Sequence, residues 1–458
     1  MKRVTEWFLI LFFFLTSFVP LCGWVTGKDS PVFASQRTSR MPAVMKEGKL
    51  NTRWTLEFDD HWGQSFPYHS FLTSRYNQLI QCAFRSSANQ KVIVGKNDFY
   101  FFGESVDDLL KHRTLSKNDL LRLLRVLEMQ SEYVHQQGAE YLFFVAPNKA
   151  TIYPEYLPFH LLPVGEKSNL DVLETLPSEV QIYSARRDLY SAKQTADVLL
   201  FHKEDSHWNS LGAYEVYKGL MKSIRKSPVI WGETVEARRD FQGDLTTMFY
   251  PDRRKEDVQW YDPSYKRQYI ELRPIRSLED MRIETRCSNA EKKIVMYRDS
   301  FANALIPFIS DSFKESLFLR SDTVDLREVE AFDADYVVYE IVERNLNWIL
   351  QRTPIMPAPE AVWKEGIPLI SYGAEIEVKE AFGMTFVNAK WLSEADGIER
   401  VLVQMEGFVM EAFPIFQDDE IEDDFFHHGF SLYTDKKLDS LRIQFLKDGS
   451  WYELKLNN

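Results

Sequence analysis

Three side chains in this sequence have the types needed for nucleophilic acyl chemistry. Ser300 lies in Tyr297-Arg298-Asp299-Ser300-Phe301, where an apolar run meets a segment with helical character. A hydroxyl at such a strand-to-helix turn is exposed beside amides that can stabilise an oxyanion. The plain alternative is a helix cap made by Asp299 or Ser300. Serine is a weak nucleophile at neutral pH and needs a base, usually histidine, whose far nitrogen is held by a carboxylate. Asp205-Ser206-His207-Trp208 offers both groups two residues apart, with Trp208 placed to steady the ring. Its plain alternative is a solvated acidic loop. His202 is a competing base, but its place in an apolar strand favours structure. Asp205 and His207 have no apparent third ligand, so no metal is assigned.

Lesser candidates surround these. Asn148 and Lys149 follow the apolar run Tyr141–Val145; the first suits an oxyanion donor and the second an anion-steering group, or both form a surface pair. Glu343 and Arg344 follow another apolar run and are expected to pair. The acidic residues 418–424, with His427 and His428 beyond, read as a solvated loop rather than a cation site.

Positioning Ser300 and His207 together requires strands that end at one edge. Val92–Val94 and Tyr100–Phe102 flank a turn and read as a hairpin. Tyr141–Val145, Val180–Tyr183, Val198–Phe201, Ile294–Tyr297 and Tyr336–Tyr339 read as short apolar strands. Between them fall helical patterns: one capped by Ser116, with Leu120, Leu121, Leu124 and Leu127 as its apolar face and Gly138 at its end, and one over 211–224. Alternation of this kind predicts an α/β fold, a mostly parallel sheet with helices on both faces, whose sites lie at the carboxyl ends of the strands. Beyond residue 357 apolar and polar residues alternate, and Lys447-Asp448-Gly449-Ser450 marks a hairpin. Residues 358–458 are expected to form a small antiparallel β-domain, as a sandwich. Trp391 and Trp451 there suit core packing better than sugar stacking.

The expected organisation is a segment 1–27, a linker 28–57, a catalytic domain 58–357 and the β-domain. Lys2 and Arg3 precede an apolar run, Trp7–Val25, that as a helix would rise about 28 Å. This predicts export, with the segment either retained as a membrane anchor or cleaved as a signal peptide. The net charge of −13 over 458 residues argues against a nucleic-acid partner. Cys82 and Cys287 admit a disulfide or two free thiols; Cys22 lies in the apolar run.

Five blocks, taken in order, resemble the alginate O-acetyltransferase AlgJ/AlgX family. They are Phe66-Pro67-Tyr68; residues 92–101 (VIVGKNDFYF); residues 146–158 (APNKATIYPEYLP); Asp205-Ser206-His207-Trp208 with Gly212-Ala213; and Arg298-Asp299-Ser300-Phe301. The resemblance spans roughly residues 60–350. It implies an SGNH-hydrolase-like catalytic domain, Ser300 as nucleophile, His207 as base and Asp205 as its orienter, with no cofactor. It further implies a polysaccharide acceptor, a membrane-bound O-acyltransferase partner as acetyl donor, and a Gly243-Asp244-Leu245 loop over the site. Arg298 stands where the family has glycine, so it is expected to crowd the turn or to bind substrate. Asp98 also replaces a glycine.

Overall fold

The computed structural model describes residues 2–25, 41–46, 48–65, 68–111, 114–161, 167–231, 234–321, 323–392, 395–417, 427–437 and 440–455. Phe66, Pro67 and the acidic run 418–424 lie outside these residues.

The central sheet has seven strands in the order Ile182–Ser184, Glu140–Ala146, Tyr336–Val342, Lys293–Tyr297, Glu315–Leu319, Arg282–Arg286, Ile270–Glu271. The first five run parallel. The last two are antiparallel, which makes the sheet mixed. Composition explains the division. Glu140–Ala146 and Lys293–Tyr297 are apolar almost throughout and buried on both faces. Arg282–Arg286 buries only Ile283 and Thr285 and exposes both arginines, as an outer strand can.

Successive residues of the central strands alternate between two cores. Leu142, Phe144, Met296 and Val338 face the helices Arg186–Thr195, Ser210–Ser223 and Ile306–Ser312. Tyr141, Phe143, Val145, Val295 and Val337 face the helix Lys117–Gln136 and the 3₁₀ segment Glu343–Leu350. Ser116 caps Lys117–Gln136 by accepting from the Asp119 amide. Leu120, Leu124 and Leu127 are buried as expected, whereas Leu121 points outward.

Val198–Phe201 is not a strand of this sheet. Only Phe201 makes a bridge, antiparallel to Trp208. The chain doubles back at once: His202 N donates to His207 O and Asn209 N to Leu200 O, so these two amides are satisfied locally. This reversal forms the loop that carries Asp205 and His207.

The C-terminal strands form one continuous sheet of eight, antiparallel except where Leu369–Ile370 joins Ser450–Leu454. The expected sandwich is instead a sheet rolled onto itself. Trp391 on one strand meets Phe445 at 5.3 Å although three strands lie between theirs in the hydrogen-bonded order. Trp391 is buried in that core. The expected hairpin turn is present, with Asp448 and Gly449 both at positive φ. The sheet docks on the helix Lys117–Gln136 through Arg125, paired with Glu411, and Arg122, which donates to the carbonyls of Ala395, Asp396 and Ile398.

At the other end, Lys2–Val25 is helical, and among the described residues no helix is long and apolar enough to cross a membrane. The region expected as an irregular linker contains the paired strands Met45–Lys46 and Lys49–Leu50, and the helix Trp54–Ser65 begins inside it. Cys82 is exposed and Cys287 buried, and both are free thiols.

Candidate active site

Ser300 sits at the carboxyl end of Lys293–Tyr297, one residue before the 3₁₀ segment Phe301–Leu305. Asp299, not Ser300, makes the cap. Its Oδ1 accepts from Phe301 N at 2.7 Å and its Oδ2 from Val342 N at 2.9 Å. Its own amide donates to Glu340 Oε2 at 2.8 Å. Burial first, then the Asp299 charge, push the Glu340 carboxyl well above the usual range. These bonds tie the turn to the neighbouring strand and leave the Ser300 hydroxyl free. Ser300 itself has ordinary helical angles, φ −72° and ψ −20°.

The hydroxyl meets a base. His207 Nε2 lies 2.8 Å from Ser300 Oγ, and His207 Nδ1 lies 2.7 Å from Asp205 Oδ1. A carboxylate can only accept, so Nδ1 carries the hydrogen and Nε2 is left to take the serine proton. Asp205 is held in turn by the amides of His207, at 2.8 Å, and Asp244, at 2.7 Å. Burial opposes its charge, but the His207 ring and these bonds hold its carboxyl far below the usual range. Burial also opposes a charged imidazole; Asp205 outweighs it and raises the His207 pKa.

Asp244 is a second carboxylate at this centre. Its Oδ1 accepts from Ser206 N at 2.8 Å and its Oδ2 from Ser206 Oγ at 2.5 Å. Oδ2 also lies 3.8 Å from His207 Nδ1. Burial, then the charge of Asp205, push its pKa up to about 6. The sequence marked 243–245 only as a loop over the site; Asp244 instead braces it from within. Gly243 permits this, because a Cβ there would stand 2.2 Å from the Glu204 carbonyl oxygen.

The other expected residues support this frame. Lys149 is buried, and its ammonium donates to the carbonyls of Tyr100 at 2.7 Å, Lys203 at 2.8 Å and Asp205 at 3.0 Å. It clamps the Asp205 loop to the 92–102 hairpin rather than facing a ligand. Burial lowers its pKa to about 7. Asn148 is also buried. Its Nδ2 donates to Asp108 Oδ2 at 3.0 Å and its Oδ1 accepts from Arg344 at 2.9 Å, so its amide is committed away from an oxyanion. Arg298 reaches sideways to the carbonyls of Leu278 and Asp280 and to Asn303 Oδ1. It neither crowds the turn nor faces a substrate; it pins the 278–280 segment. Trp208 is buried and sets its ring edgewise to Phe301 at 5.0 Å; Phe301 in turn meets the His207 ring at 4.7 Å. His202 stacks on Phe241 at 3.8 Å. Glu343 does not pair with Arg344 but accepts from Asn148 N and the Thr151 hydroxyl. Asp205, His207 and Asp244 bring ligand atoms within 4.8 Å of one another, but both His207 nitrogens already serve Asp205 and Ser300. A cation would have to displace one of those bonds.

A cleft of about 520 Å³ opens beside Ser300 and His207. Trp260, Tyr261, Tyr265 and Phe241 line it, together with Gln242, Gln259 and Ser210. Aromatic faces among hydrogen-bonding groups suit a polyhydroxylated ligand.

Comparison with known proteins bears out the family resemblance. Residues 92–280 match the model of the SGNH hydrolase-like domain of the acetyltransferase AlgX. The match includes Asp205 and His207 and stops short of Ser300. The probable alginate O-acetylase AlgJ of Pseudomonas fluorescens is 25% identical over 214 residues, covering 44% of this chain and 52% of that protein. The probable alginate O-acetylase AlgJ of Pseudomonas aeruginosa is 24% identical over 238 residues, covering 49% and 55%. The chain thus spans about half the length of these curated relatives. Among solved structures, Bacillus cereus PatB1 is 17% identical, covers 56% of this chain and 97% of its own, and gives a TM-score of 0.42. The O-acetyltransferase domain of Pseudomonas putida AlgJ is 16% identical, with coverages of 56% and 92% and a TM-score of 0.37.

Proposed function

We propose that this chain, an AlgJ/AlgX-like protein, is an O-acetyltransferase that moves acetyl groups onto hydroxyls of an extracellular polysaccharide. The observation that carries the reading is the continuous line of hydrogen bonds from Asp205 through His207 to Ser300, opening on the cleft. His207 Nε2 takes the Ser300 proton as Oγ attacks the acetyl carbonyl of the donor. The Ser300 amide, at the helix start, stabilises the tetrahedral oxyanion. His207 returns the proton to the leaving group, and an acetyl ester remains on Ser300. A sugar hydroxyl then gives its proton to His207 and attacks that ester. Collapse of the second intermediate releases the acetylated sugar and restores the Ser300 hydroxyl. Asp205 keeps the imidazole in one tautomer and stabilises its charged form in both halves.

The family resemblance supports a membrane-bound O-acyltransferase as the donor. Lys2 and Arg3 ahead of the apolar run support an extracytoplasmic location. Water attacking the same acetyl-enzyme would make it an O-acetyl esterase, so the test separates the two. The full-length chain and Ser300→Ala are incubated with a chromogenic acetyl ester, with and without oligosaccharides. Release abolished by the substitution, and acetyl recovered on sugar, is the expected result. Release that survives the substitution contradicts the reading.

A further inference from the structure

We propose that the acceptor held in this cleft is an uncharged glycan rather than a polyuronate. The inference rests on the reading of Ser300 and His207 above and concerns what lies beside them.

The cleft is acidic. Asp205, Asp244, Asp262 and Glu279 all line it, whereas among its described lining residues there is neither lysine nor arginine. Several nearby cations are already engaged. Arg298 donates into backbone carbonyls, Arg320 pairs with Glu279, and Arg238 lies over the Tyr261 ring beside Glu236. Arg344 stacks across Phe301 and donates to Asn148, with Asp299, Glu104 and Asp244 around it. The whole chain carries a net charge of −13, so the wider field does not reverse the local one.

A polyuronate brings one carboxylate per sugar. A chain laid across Ser300 would place several of them within a Debye length, about 8 Å at physiological salt, of these acids. Recognition of carboxylates calls for guanidinium forks or ammonium groups, which the lining lacks. An uncharged sugar meets the opposite situation. Trp260 is partly exposed and offers a flat face to the apolar side of a pyranose. Asp262 brings a carboxylate to the same wall, and a hydrogen bond from hydroxyl to carboxylate is stronger than a neutral one. The relatives named alginate O-acetylases act, by their names, on a uronate polymer; the acceptor side of this cleft points elsewhere.

The test is acetyl transfer by the full-length chain from a chromogenic acetyl ester, with cello-oligosaccharides and oligomannuronates of equal length supplied in parallel. Ester consumption reports the Ser300 chemistry, and mass spectrometry of the sugars reports the acceptor. The expected result is acetylation of the neutral oligomers faster by roughly tenfold or more, with the gap narrowing as salt screens the repulsion. The double substitution Asp262→Asn/Glu279→Gln should also narrow it, raising the oligomannuronate rate relative to the neutral one. Oligomannuronates acetylated as fast as, or faster than, the neutral oligomers would overturn the inference while leaving the Ser300 reading intact. Absence of ester consumption would instead overturn the Ser300 reading itself.

Discussion

Gly243→Ala tests how tightly the catalytic loop is braced. Gly243 has φ −71° and ψ 144°, extended backbone open to any residue, so alanine brings no conformational penalty there. The obstacle is spatial. An added Cβ would lie 2.2 Å from Glu204 O and 2.7 Å from Glu204 C, both backbone atoms. Relief to 3.0 Å requires a shift of at least about 0.8 Å between segments 204–206 and 243–246. Those segments are sewn together by Asp244 N to Asp205 Oδ2, Ser206 N to Asp244 Oδ1 and Thr246 N to Glu204 O. The shift falls on the carboxylate that orients His207. A misplacement near 1 Å costs on the order of 10²-fold in rate, or about 2.7 kcal/mol of barrier. The assay is kcat for the chromogenic acetyl ester, with circular dichroism confirming the fold. A folded variant that keeps the parental kcat would refute the claim that this contact sets the geometry of the site.

Asp205→Asn leaves His207 without its orienting carboxylate, and kcat should fall by roughly 10³–10⁴-fold with little change in fold, as read by ester kinetics. The base must be neutral, and Asp205 raises its pKa, so activity should rise with pH through a midpoint above the ordinary histidine value of 6.5. The Asp244 carboxylate, itself titrating at about 6, adds to that rise. Asp244→Asn should therefore move the acid limb of the kcat/KM profile to lower pH; a shift upward would contradict the placement of Asp244. Lys149→Met removes a buried donor shared by three carbonyls of the loop frame, of which only that of Lys203 keeps a bond from the Tyr100 amide, and should destabilise the protein by about 3 kcal/mol in urea denaturation. The folded-state pKa of Lys149 is lowered to about 7, so the unfolded chain binds the extra proton between there and about 10.5. Wild-type stability should thus rise with pH across that window relative to Lys149→Met.

Sequence reading reached furthest where chemistry is local. Asp205 and His207 are two residues apart in one loop, and Ser300 follows a run whose burial is plain from Ile294 to Tyr297, so their meeting could be anticipated. The sheet edges were less legible. Arg282–Arg286 alternates weakly between two charged ends, and its antiparallel pairing to Glu315–Leu319 depends on a partner 29 to 37 residues ahead. Lys149, Asn148 and Arg298 look like ligand-facing groups by type. Their roles turn on carbonyls and side chains brought close by the fold from residues up to 196 positions away, such as Leu278 for Arg298 and Arg344 for Asn148. Asp244 escaped as a brace for the same reason, although the glycine before it marked a close approach of two backbones. Val198–Phe201 reads as a strand because apolar content alone does not reveal a chain that turns back on itself within seven residues.

The central claim is that acetyl rests on Ser300 on its way to a sugar. Brief exposure of the full-length chain to an acetyl ester, acid quenching and tandem mass spectrometry of its peptides test that directly. The account predicts a single acetyl group on the Ser300 peptide, absent from Ser300→Ala and lost when a neutral oligosaccharide is added before the quench. Acetyl found on another residue, or turnover with no acetyl on Ser300 even in the slowed Asp205→Asn variant, would contradict it.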